Sequence, residues 1–355
     1  MKMILRNKVK RIASLALFLC SFSAFAEKGP VYISPNNDGV QDQLEVPLQI
    51  KEKRYVAEWS FIISDEKGNI VRIIGNKDKR PDTITVGTFF SQLFTPKEGV
   101  EIPATVIWNG YFDDGSLAPD GTYYYQFTAT DDNGNTATTS KLKVIVDCTA
   151  PRIQLTQPSE SDKTFGEGAK STLHITQTGS SETQWTGTIV DNENNVRKTF
   201  KWTQSAPLSL DWDGTDDNGS IVPDGVYSYR VTATDEAGNT SDAAQITNII
   251  YSGEKPAVSI SIASDKYFSP NKDGVKDTLE LAVSIAKPAS KTNSLVSWKV
   301  DVVRVSDGKI VRSYSGKDNA PASIVFDGTD SSGKVLEEGQ YFAQVNAKYL
   351  NGYDS

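Results

Sequence analysis

The stretch PDGTYYYQFTATD at residues 119–131 recurs as PDGVYSYRVTATD at residues 223–235, and a weaker copy, EGQYFAQVNA, occupies residues 338–347. Tyr, Val and Ala alternate with polar residues in each copy, which is typical of a β-strand with one buried face. The Gly before each run is predicted to supply the positive φ of a tight turn. Three copies at spacings of 104 and 114 residues predict three tandem units of one fold.

Two further blocks precede each copy. The nearer block is WNG, WDG or FDG, at residues 108–110, 212–214 and 326–328. The farther block begins at Trp59, Trp185 or Trp298 and runs through alternating residues into a turn with the sequence KGNIVR (67–72), ENNVR (193–197) or DGKIVR (307–312). Alternation around a Gly or Asn turn predicts a β-hairpin, whose Trp packs into a sandwich core. No helical period lasts three turns, so the predicted fold is all-β.

These blocks resemble the immunoglobulin-like domain of the bacterial flagellar hook-capping protein, a module found in many exported bacterial proteins. The second copy carries its pattern most completely, from Trp212 to Gly219 and from Gly225 to Tyr229. The third copy has Phe326 in place of the Trp and Ala343 in place of the last Tyr. The resemblance implies three tandem immunoglobulin-like β-sandwiches. It implies no flagellar role, because such modules serve unrelated proteins as spacers and scaffolds.

Pro-containing segments mark the predicted domain joints, CTAP at 148–151 and GEKP at 253–256. The predicted domains are therefore residues 27–150, 151–254 and 255–355. The first has an insertion near 77–101: 36 residues separate Arg72 from Trp108, whereas the matching distances in the other copies are 15 and 14 residues. This insertion contains three Phe residues, and it either binds a partner or folds back onto its own domain.

Residues 1–26 have the pattern of a cleaved secretory signal peptide. Five Lys and Arg residues precede an apolar stretch at 12–25, which ends in the small-x-small site Ala24-Phe25-Ala26. Cleavage leaves no apolar run of membrane-spanning length, and it changes the net charge from −8 to −13. Such an acidic chain is repelled by nucleic acid. We expect an exported protein of the periplasm, outer surface or extracellular space.

The chemistry-bearing residues are few. Cys148 is the only cysteine after cleavage and His174 is the only histidine, which excludes Ser-His-Asp and Cys-His catalysis and a His-rich zinc site. Both are interpreted as structural residues. The many carboxylates recur in every copy as turn residues, whereas a catalytic pair is expected in one place. We therefore expect no enzyme activity and no catalytic, cofactor-binding or metal-binding residues.

One acidic phrase leaves an alternative open. SPNNDGVQDQLE at 34–45 and SPNKDGVKDTLE at 269–280 approach the spacing of a calcium loop, and they resemble the opening of domains at the C-termini of secreted proteins from gliding bacteria. Ser at the first position, Pro after it and the lack of flanking helices favour a turn rich in Asn and Asp that begins a strand.

The sequence favours a structural or binding protein, a multi-domain spacer or adhesion scaffold of the bacterial envelope or surface, whose partner is a protein or an envelope component. The alternatives are a carbohydrate-binding secreted protein that uses Tyr111, Phe112 and Tyr124, and a glycosidase with an Asp/Glu pair. The third copy ends at Ser355, three residues past its last turn. The sequence therefore predicts that its sandwich lacks a final strand: either the chain is the N-terminal part of a larger, envelope-anchored protein, or a partner donates the strand by β-augmentation.

Overall fold

The computed structural model describes residues 29–48, 56–77, 99–131 and 134–355. The predicted signal peptide and most of the predicted insertion, residues 78–98, lie outside these ranges. The described residues are nearly all β, and their single helical element is the 3-10 turn Gly168–Lys170. The all-β prediction is confirmed.

The chain divides into two compact units. The first contains residues up to Ala150 together with Thr234–Thr240, and the second contains Pro151–Ala233 and Ser241–Ser355. None of the helical residues described forms a segment long and apolar enough to cross a membrane.

The first repeat consists of two sheets with the orders β1-β8-β6-β3-β4 and β2-β5, and β7 pairs with β6. β1 runs parallel to β8, whereas β2-β5, β3-β4, β3-β6, β6-β7 and β6-β8 are antiparallel pairs. The strands are β1 (Val31–Ile33), β2 (Leu44–Pro47), β3 (Val56–Asp65), β4 (Ile70–Lys77), β5 (Thr105–Trp108), β6 (Gly121–Asp131), β7 (Thr136–Thr138) and β8 (Leu142–Val146).

The second repeat has the same plan, with sheets β10-β16-β15-β12-β13 and β14-β11-β9. The short strand β10 runs parallel to β16, as β1 does to β8. The strands are β9 (Ile153–Thr156), β10 (Thr164–Phe165), β11 (Leu173–Gly179), β12 (Glu182–Asp191), β13 (Val196–Gln204), β14 (Ser209–Trp212), β15 (Gly225–Thr234) and β16 (Ala244–Tyr251).

The third repeat has sheets β17-β18-β21 and β20-β19-β22. Among the described residues, β22 forms its ladder with β19, and its other side makes only the isolated bridge between Lys348 and Asp354. The strands are β17 (Val258–Ile262), β18 (Leu279–Ile285), β19 (Leu295–Arg304), β20 (Ile310–Gly316), β21 (Ser323–Phe326) and β22 (Tyr341–Tyr349).

Each repeat encloses its own hydrophobic core, formed by side chains from both of its sheets. Trp59, Trp185 and Trp298 lie in these cores with exposed fractions of 6%, 1% and 8%, so the predicted burial is confirmed. Truncating a buried aromatic of this size costs on the order of 3–5 kcal/mol of folding free energy.

One turn prediction was wrong. Gly121 and Gly225 do not have positive φ; each is the first residue of its strand. A Cβ added at either position meets no atom closer than 3.7 Å, so neither needs a glycine for space. The positive-φ glycines lie in the loop before these strands, at Gly110, Gly115, Gly214 and Gly219.

Candidate functional site

Each repeat ties its hairpin to the loop that follows the Trp or Phe block through one cationic side chain. The donor and acceptor pairs are Arg72 Nη1 and Phe112 O (3.3 Å), Lys198 Nζ and Asp216 O (2.7 Å), and Arg312 Nη1 and Asp330 O (2.7 Å). The cation comes from β4, β13 or β20, and the carbonyl lies four residues after the Trp or Phe. A charged donor makes a stronger bond than a neutral one. We call this contact the cation–carbonyl clamp.

In the second repeat the clamp residue is not the Arg of the ENNVR turn. Arg197 is the Arg of ENNVR, but it lies at a β-bulge and donates to Asp191 at 2.7 Å. Lys198 is the residue in register with the clamp positions of the other repeats, because it pairs with Ile189 as Arg72 pairs with Ile63. Hydrogen bonds from Asn195 and Arg197 outweigh desolvation and lower the pKa of Asp191 to about 2.

The aspartates of the following loop cap its own backbone. Asp213 accepts the N–H of Thr215 at 3.1 Å and its hydroxyl at 2.6 Å, and Asp327 binds Thr329 in the same way. The hydroxyl bond is the main cause of the lowered pKa of both carboxyls. Trp212 Nε1 also donates to the Thr215 carbonyl at 2.9 Å. These side chains hold the loop that the clamp fastens.

The aspartate of each Pro-Asp-Gly phrase anchors the segment after the last strand of its repeat. Asp120 accepts the backbone N–H of Cys148 at 2.8 Å, and Asp224 accepts that of Gly253 at 2.9 Å. Both predicted joint segments are therefore fastened to the end of the sandwich that precedes them. The sequence offered no signal for this role beyond the recurrence of the phrase.

Within the second unit, a buried asparagine fastens the third repeat to the segment that leads into it. Asn351 is fully buried, and its Nδ2 donates to the carbonyls of Ser252 (3.0 Å) and Glu254 (2.9 Å). Its own carbonyl accepts the N–H of Glu167 at 2.9 Å. A buried amide with these partners satisfied fixes the joint geometrically.

The two SPNxDG segments, residues 34–42 and 269–277, fold into the same loop. In both, the last Asp accepts two backbone N–H groups of its own loop: Asp42 from Asn37 (2.7 Å) and Gly39 (2.8 Å), and Asp277 from Lys272 (2.6 Å) and Gly274 (2.7 Å). The central Asp accepts another, from Val40 or Val275. The Asp oxygens considered for calcium accept backbone N–H groups of their own loops, as expected for the turn that the sequence favours.

His174 and Cys148 lie in structural settings. His174 Nδ1 is 2.7 Å from Asp211 Oδ1 across the β11–β14 ladder, with both side chains exposed. Cys148 is half-buried beside the first core, and burial raises the pKa of its thiol. A raised pKa disfavours the thiolate that a nucleophile requires.

The structure does not bring the aromatic residues considered for carbohydrate binding onto one surface. Phe112 packs against Tyr123, 5.9 Å between ring centroids, at the edge of the first core. Tyr124 follows Tyr123 on β6 and therefore lies on the opposite face of the sheet. Tyr111 is 37% exposed in a bridge with Leu117.

The predicted insertion is described only at its ends. Lys77 closes β4 beside Glu58, and the backbone of Val100 donates to Val56 at 2.8 Å. Trp59 Nε1 donates to the Glu101 carbonyl at 3.0 Å. The partner-binding prediction for this segment rests on residues 78–98, which lie outside the described ranges.

Two segments of the chain match known family models. Residues 160–237 match the family model of the FlgD Ig-like domain, and residues 98–148 match that of a bacterial Ig-like domain. The predicted resemblance is confirmed for these two segments, which are similar to bacterial immunoglobulin-like domains. None of the curated proteins is significantly similar to it.

Similar solved structures are also built of tandem modules. Fibronectin(III)-like modules of Clostridium thermocellum CbhA are 13% identical, with a TM-score of 0.34, 63% of this chain covered and 91% of theirs. A tetra-tandem repeat from the extending region of a large adhesion protein is 19% identical, with a TM-score of 0.26 and coverages of 92% and 72%. The FN1-FN3 domains of chicken CNTN1 are 14% identical, with a TM-score of 0.29 and coverages of 92% and 95%.

Proposed function

We propose that this chain is a non-enzymatic spacer and binding scaffold of the bacterial envelope or surface. The observation that carries the proposal is the clamp, which recurs in all three repeats with the same backbone acceptor. The residues that recur most visibly in the sequence therefore stabilise the sandwich, and repetition of one stabilised module is what a spacer needs.

The electrostatics of the recurring carboxylates support a structural role. The pKa values of Asp114, Asp213, Asp216, Asp327 and Asp330 are all lowered, because these groups accept hydrogen bonds from their own loops. A glycosidase needs one carboxylic acid with a raised pKa to protonate the leaving group. Carboxylates held ionised in every repeat suit capping instead.

The proposed division is a signal peptide at 1–26 and domains at 27–150, 151–254 and 255–355. The three separate hydrophobic cores support it. Export follows from the signal sequence, and it agrees with a mature chain that contains one cysteine and relies on core burial for its stability.

Fractionation of the native bacterium, combined with proteolysis of intact cells, tests the proposal. We expect the protein in the periplasm, in the outer envelope or in the medium, and its mature form to begin at Glu27. A matched variant that lacks residues 1–26 should remain in the cytoplasm. Recovery of the natural chain in the cytoplasm with residues 1–26 still attached would contradict the proposal.

A scaffold also tolerates repetition of its parts, which an enzyme built across repeats does not. Duplicating residues 151–254 in place should leave the protein folded and exported, and it should leave its partner bound in cell-envelope pull-downs. The matched control is a duplication shifted by half a repeat, which divides one sandwich and should prevent folding.

A further inference from the structure

The sequence contains two phrases of the form Asn-x-Ser/Thr, Asn218-Gly219-Ser220 and Asn239-Thr240-Ser241. In an exported protein this phrase is an acceptor for N-linked glycans, provided that the middle residue is not Pro and that the asparagine lies in a surface loop. Chance often produces this spacing, so it does not identify a site by itself. The structure separates the two phrases by the setting of each asparagine.

Asn239, in the first compact unit, has no room for a glycan. Its exposed fraction is 3%, and its Oδ1 accepts the hydroxyl of Ser34 at 2.6 Å. Its Nδ2, the atom to which a glycan would be attached, donates to the carbonyl of Asp147 and to a carboxylate oxygen of Asp235, both at 2.8 Å. A glycan on this atom would displace buried hydrogen bonds, so the folded chain excludes Asn239 as an acceptor.

Asn218, in the second compact unit, lies at the tip of the loop that follows Trp212. Asn218, Gly219 and Ser220 are all exposed, and a Cβ added to Gly219 meets no described atom within 4 Å. Backbone groups hold the loop, because Asp216 Oδ1 accepts the N–H of Asn218 at 2.8 Å and that of Ser220 at 2.9 Å. The Asn218 side chain also bonds the Asp216 carboxylate, a contact within the loop itself. A glycan on Asn218 therefore has space around it and displaces no core side chain.

The other two repeats show that the fold does not require asparagine at this position. Asp114 and Ser332 occupy the equivalent place, because the same backbone hydrogen bonds close all three loops. Each of these residues, like Asn218, precedes a Gly whose φ lies between 78° and 85°. The second repeat alone combines Asn at this position with Ser two positions later. The acceptor phrase is thus a difference between the repeats on a shared backbone.

We propose that Asn218 is a glycosylation acceptor and carries an N-linked oligosaccharide in the exported protein. The inference rests on the proposed export, because such acceptors are surface loops of secreted proteins. The donor is an oligosaccharide linked through pyrophosphate to a lipid. Nδ2 of Asn218 bonds to the anomeric carbon of the sugar, the bond from that carbon to the pyrophosphate oxygen breaks, and the lipid pyrophosphate leaves with the electron pair. The amide releases one proton to solvent, so the transfer needs no oxidant or reductant.

A glycan at this position suits a surface scaffold. Exposed loop tips with small and polar residues are preferred sites of proteolysis, and the tip at 217–220 is of this kind. The next residue, Ile221, is apolar and 60% exposed. A bulky, solubilising group on Asn218 would shield both the loop tip and this side chain.

Peptide mass spectrometry of the protein purified from its own bacterium tests the site. Trypsin cleaves after Lys201 and Arg230, so Asn218 and Asn239 fall in different peptides. We expect the mass of a glycan on most copies of peptide 202–230, located on Asn218 by fragmentation. The peptide that contains Asn239 should have its unmodified mass.

Variants expressed in the same bacterium separate an N-linked glycan from other attachments. Asn218→Gln and Ser220→Ala should each remove the glycan, whereas Ser220→Thr should keep it, because the acceptor phrase takes either hydroxyl. Asp114→Asn places the phrase in the equivalent exposed loop of the first repeat and should add a second glycan. The matched control is Ser332→Asn, which is followed by Lys334 rather than by Ser or Thr and should add none.

The N-terminus of the same samples distinguishes this inference from the proposed function. A chain that begins at Glu27 and lacks a glycan on Asn218 would overturn the inference and leave the proposed export intact. A glycan that persists in Asn218→Gln or in Ser220→Ala would overturn it as well. A chain that still begins at Met1 contradicts the export, and the inference then fails with it.

Discussion

Replacing Tyr229 by Phe should destabilise the second repeat more than the loss of one exposed hydroxyl would. Tyr229 is fully buried and its hydroxyl donates to Oε1 of Gln177 at 2.7 Å. Gln177 is 1% exposed, and its Nε2 donates to the Pro207 carbonyl at 3.1 Å. Burial raises the pKa of Tyr229, so the hydroxyl remains a donor at neutral pH. The substitution would leave the Gln177 oxygen buried without this donor.

A buried polar atom without a partner costs about 1–3 kcal/mol, whereas replacing both partners with apolar groups is nearly neutral. We therefore expect Tyr229→Phe to lower the free energy of unfolding of the second repeat by about 2 kcal/mol. Tyr229→Phe combined with Gln177→Leu should cost less than the two single changes added together. The first repeat shows that a Leu fits at the position of Gln177, because Leu48 lies there opposite a Tyr, Tyr125.

Hydrogen exchange of the intact mature chain, followed by mass spectrometry, resolves the second repeat from the others. A loss of 2 kcal/mol should accelerate exchange about 30-fold in peptides from β12 and β15, where exchange proceeds through unfolding of the repeat. The matched control is Tyr227→Phe, whose hydroxyl binds the Pro223 carbonyl at the partly exposed edge of the same strand. The reasoning is refuted if Tyr229→Phe has no larger effect than Tyr227→Phe, or if the double variant is additive.

Four further predictions concern the loops and the clamp. Replacing residues 78–98 by a five-residue Gly/Ser linker should abolish binding to one partner but leave thermal unfolding cooperative, because the second and third repeats make this connection in a few residues. Loss of folding would instead assign the segment to the core. Thermal melts with calcium and with a chelator should agree within about 2 °C, since a saturated site would add roughly 2.7 kcal/mol; a larger shift that disappears in an Asp38→Ala and Asp273→Ala double variant would contradict this. Arg312→Met should destabilise the third repeat by about 1.5 kcal/mol in denaturant titrations, by removing a charged donor from the loop carbonyl, while Arg312→Lys should retain most of that stability. In an acid titration followed by circular dichroism, Asp191→Asn should lose less stability than the natural chain between about pH 4 and pH 2. The reason is that the pKa of Asp191 is about 2 in the folded chain, lower than the usual 3.8, so the ionised group stabilises the fold above this range and that stability is lost as the pH falls through it.

The sequence predicted those features that depend on neighbours along the chain. Alternation located the strands around Trp59, Trp185 and Trp298, and the Gly and Asn turns located the hairpins, because a period of two and a tight turn are local properties. It did not identify the clamp residue of the second repeat, because all three repeats have the same β-bulge and Arg197 takes the bulged position of Val71 and Val311, which leaves Lys198 in the clamp position. Motif spacing alone does not reveal a bulge.

The candidate site was harder to predict, because it depends on contacts between distant residues. Ser34 and Asn239 are 205 positions apart, and no pattern in either segment indicates that they meet. The oxygens of the SPNxDG segments are visible in the sequence, but the contact of loop 34–42 with Asn239 is not.

The pattern of recurrence indicates where function should be sought. Residues that recur in all three repeats solve a problem common to all three, since the loop after the Trp or Phe block has backbone groups that the clamp and the Asp caps must satisfy. The clamp and the Asp caps therefore do not distinguish one repeat from another. Properties specific to this protein must therefore reside where the repeats differ, and Lys272 and Lys276, which replace Asn37 and Gln41 in an otherwise matching loop, are differences of this kind on an exposed surface. Two added charges that leave the backbone conformation of the loop unchanged alter the electrostatics of that surface, whereas the shared motif is the same in every repeat.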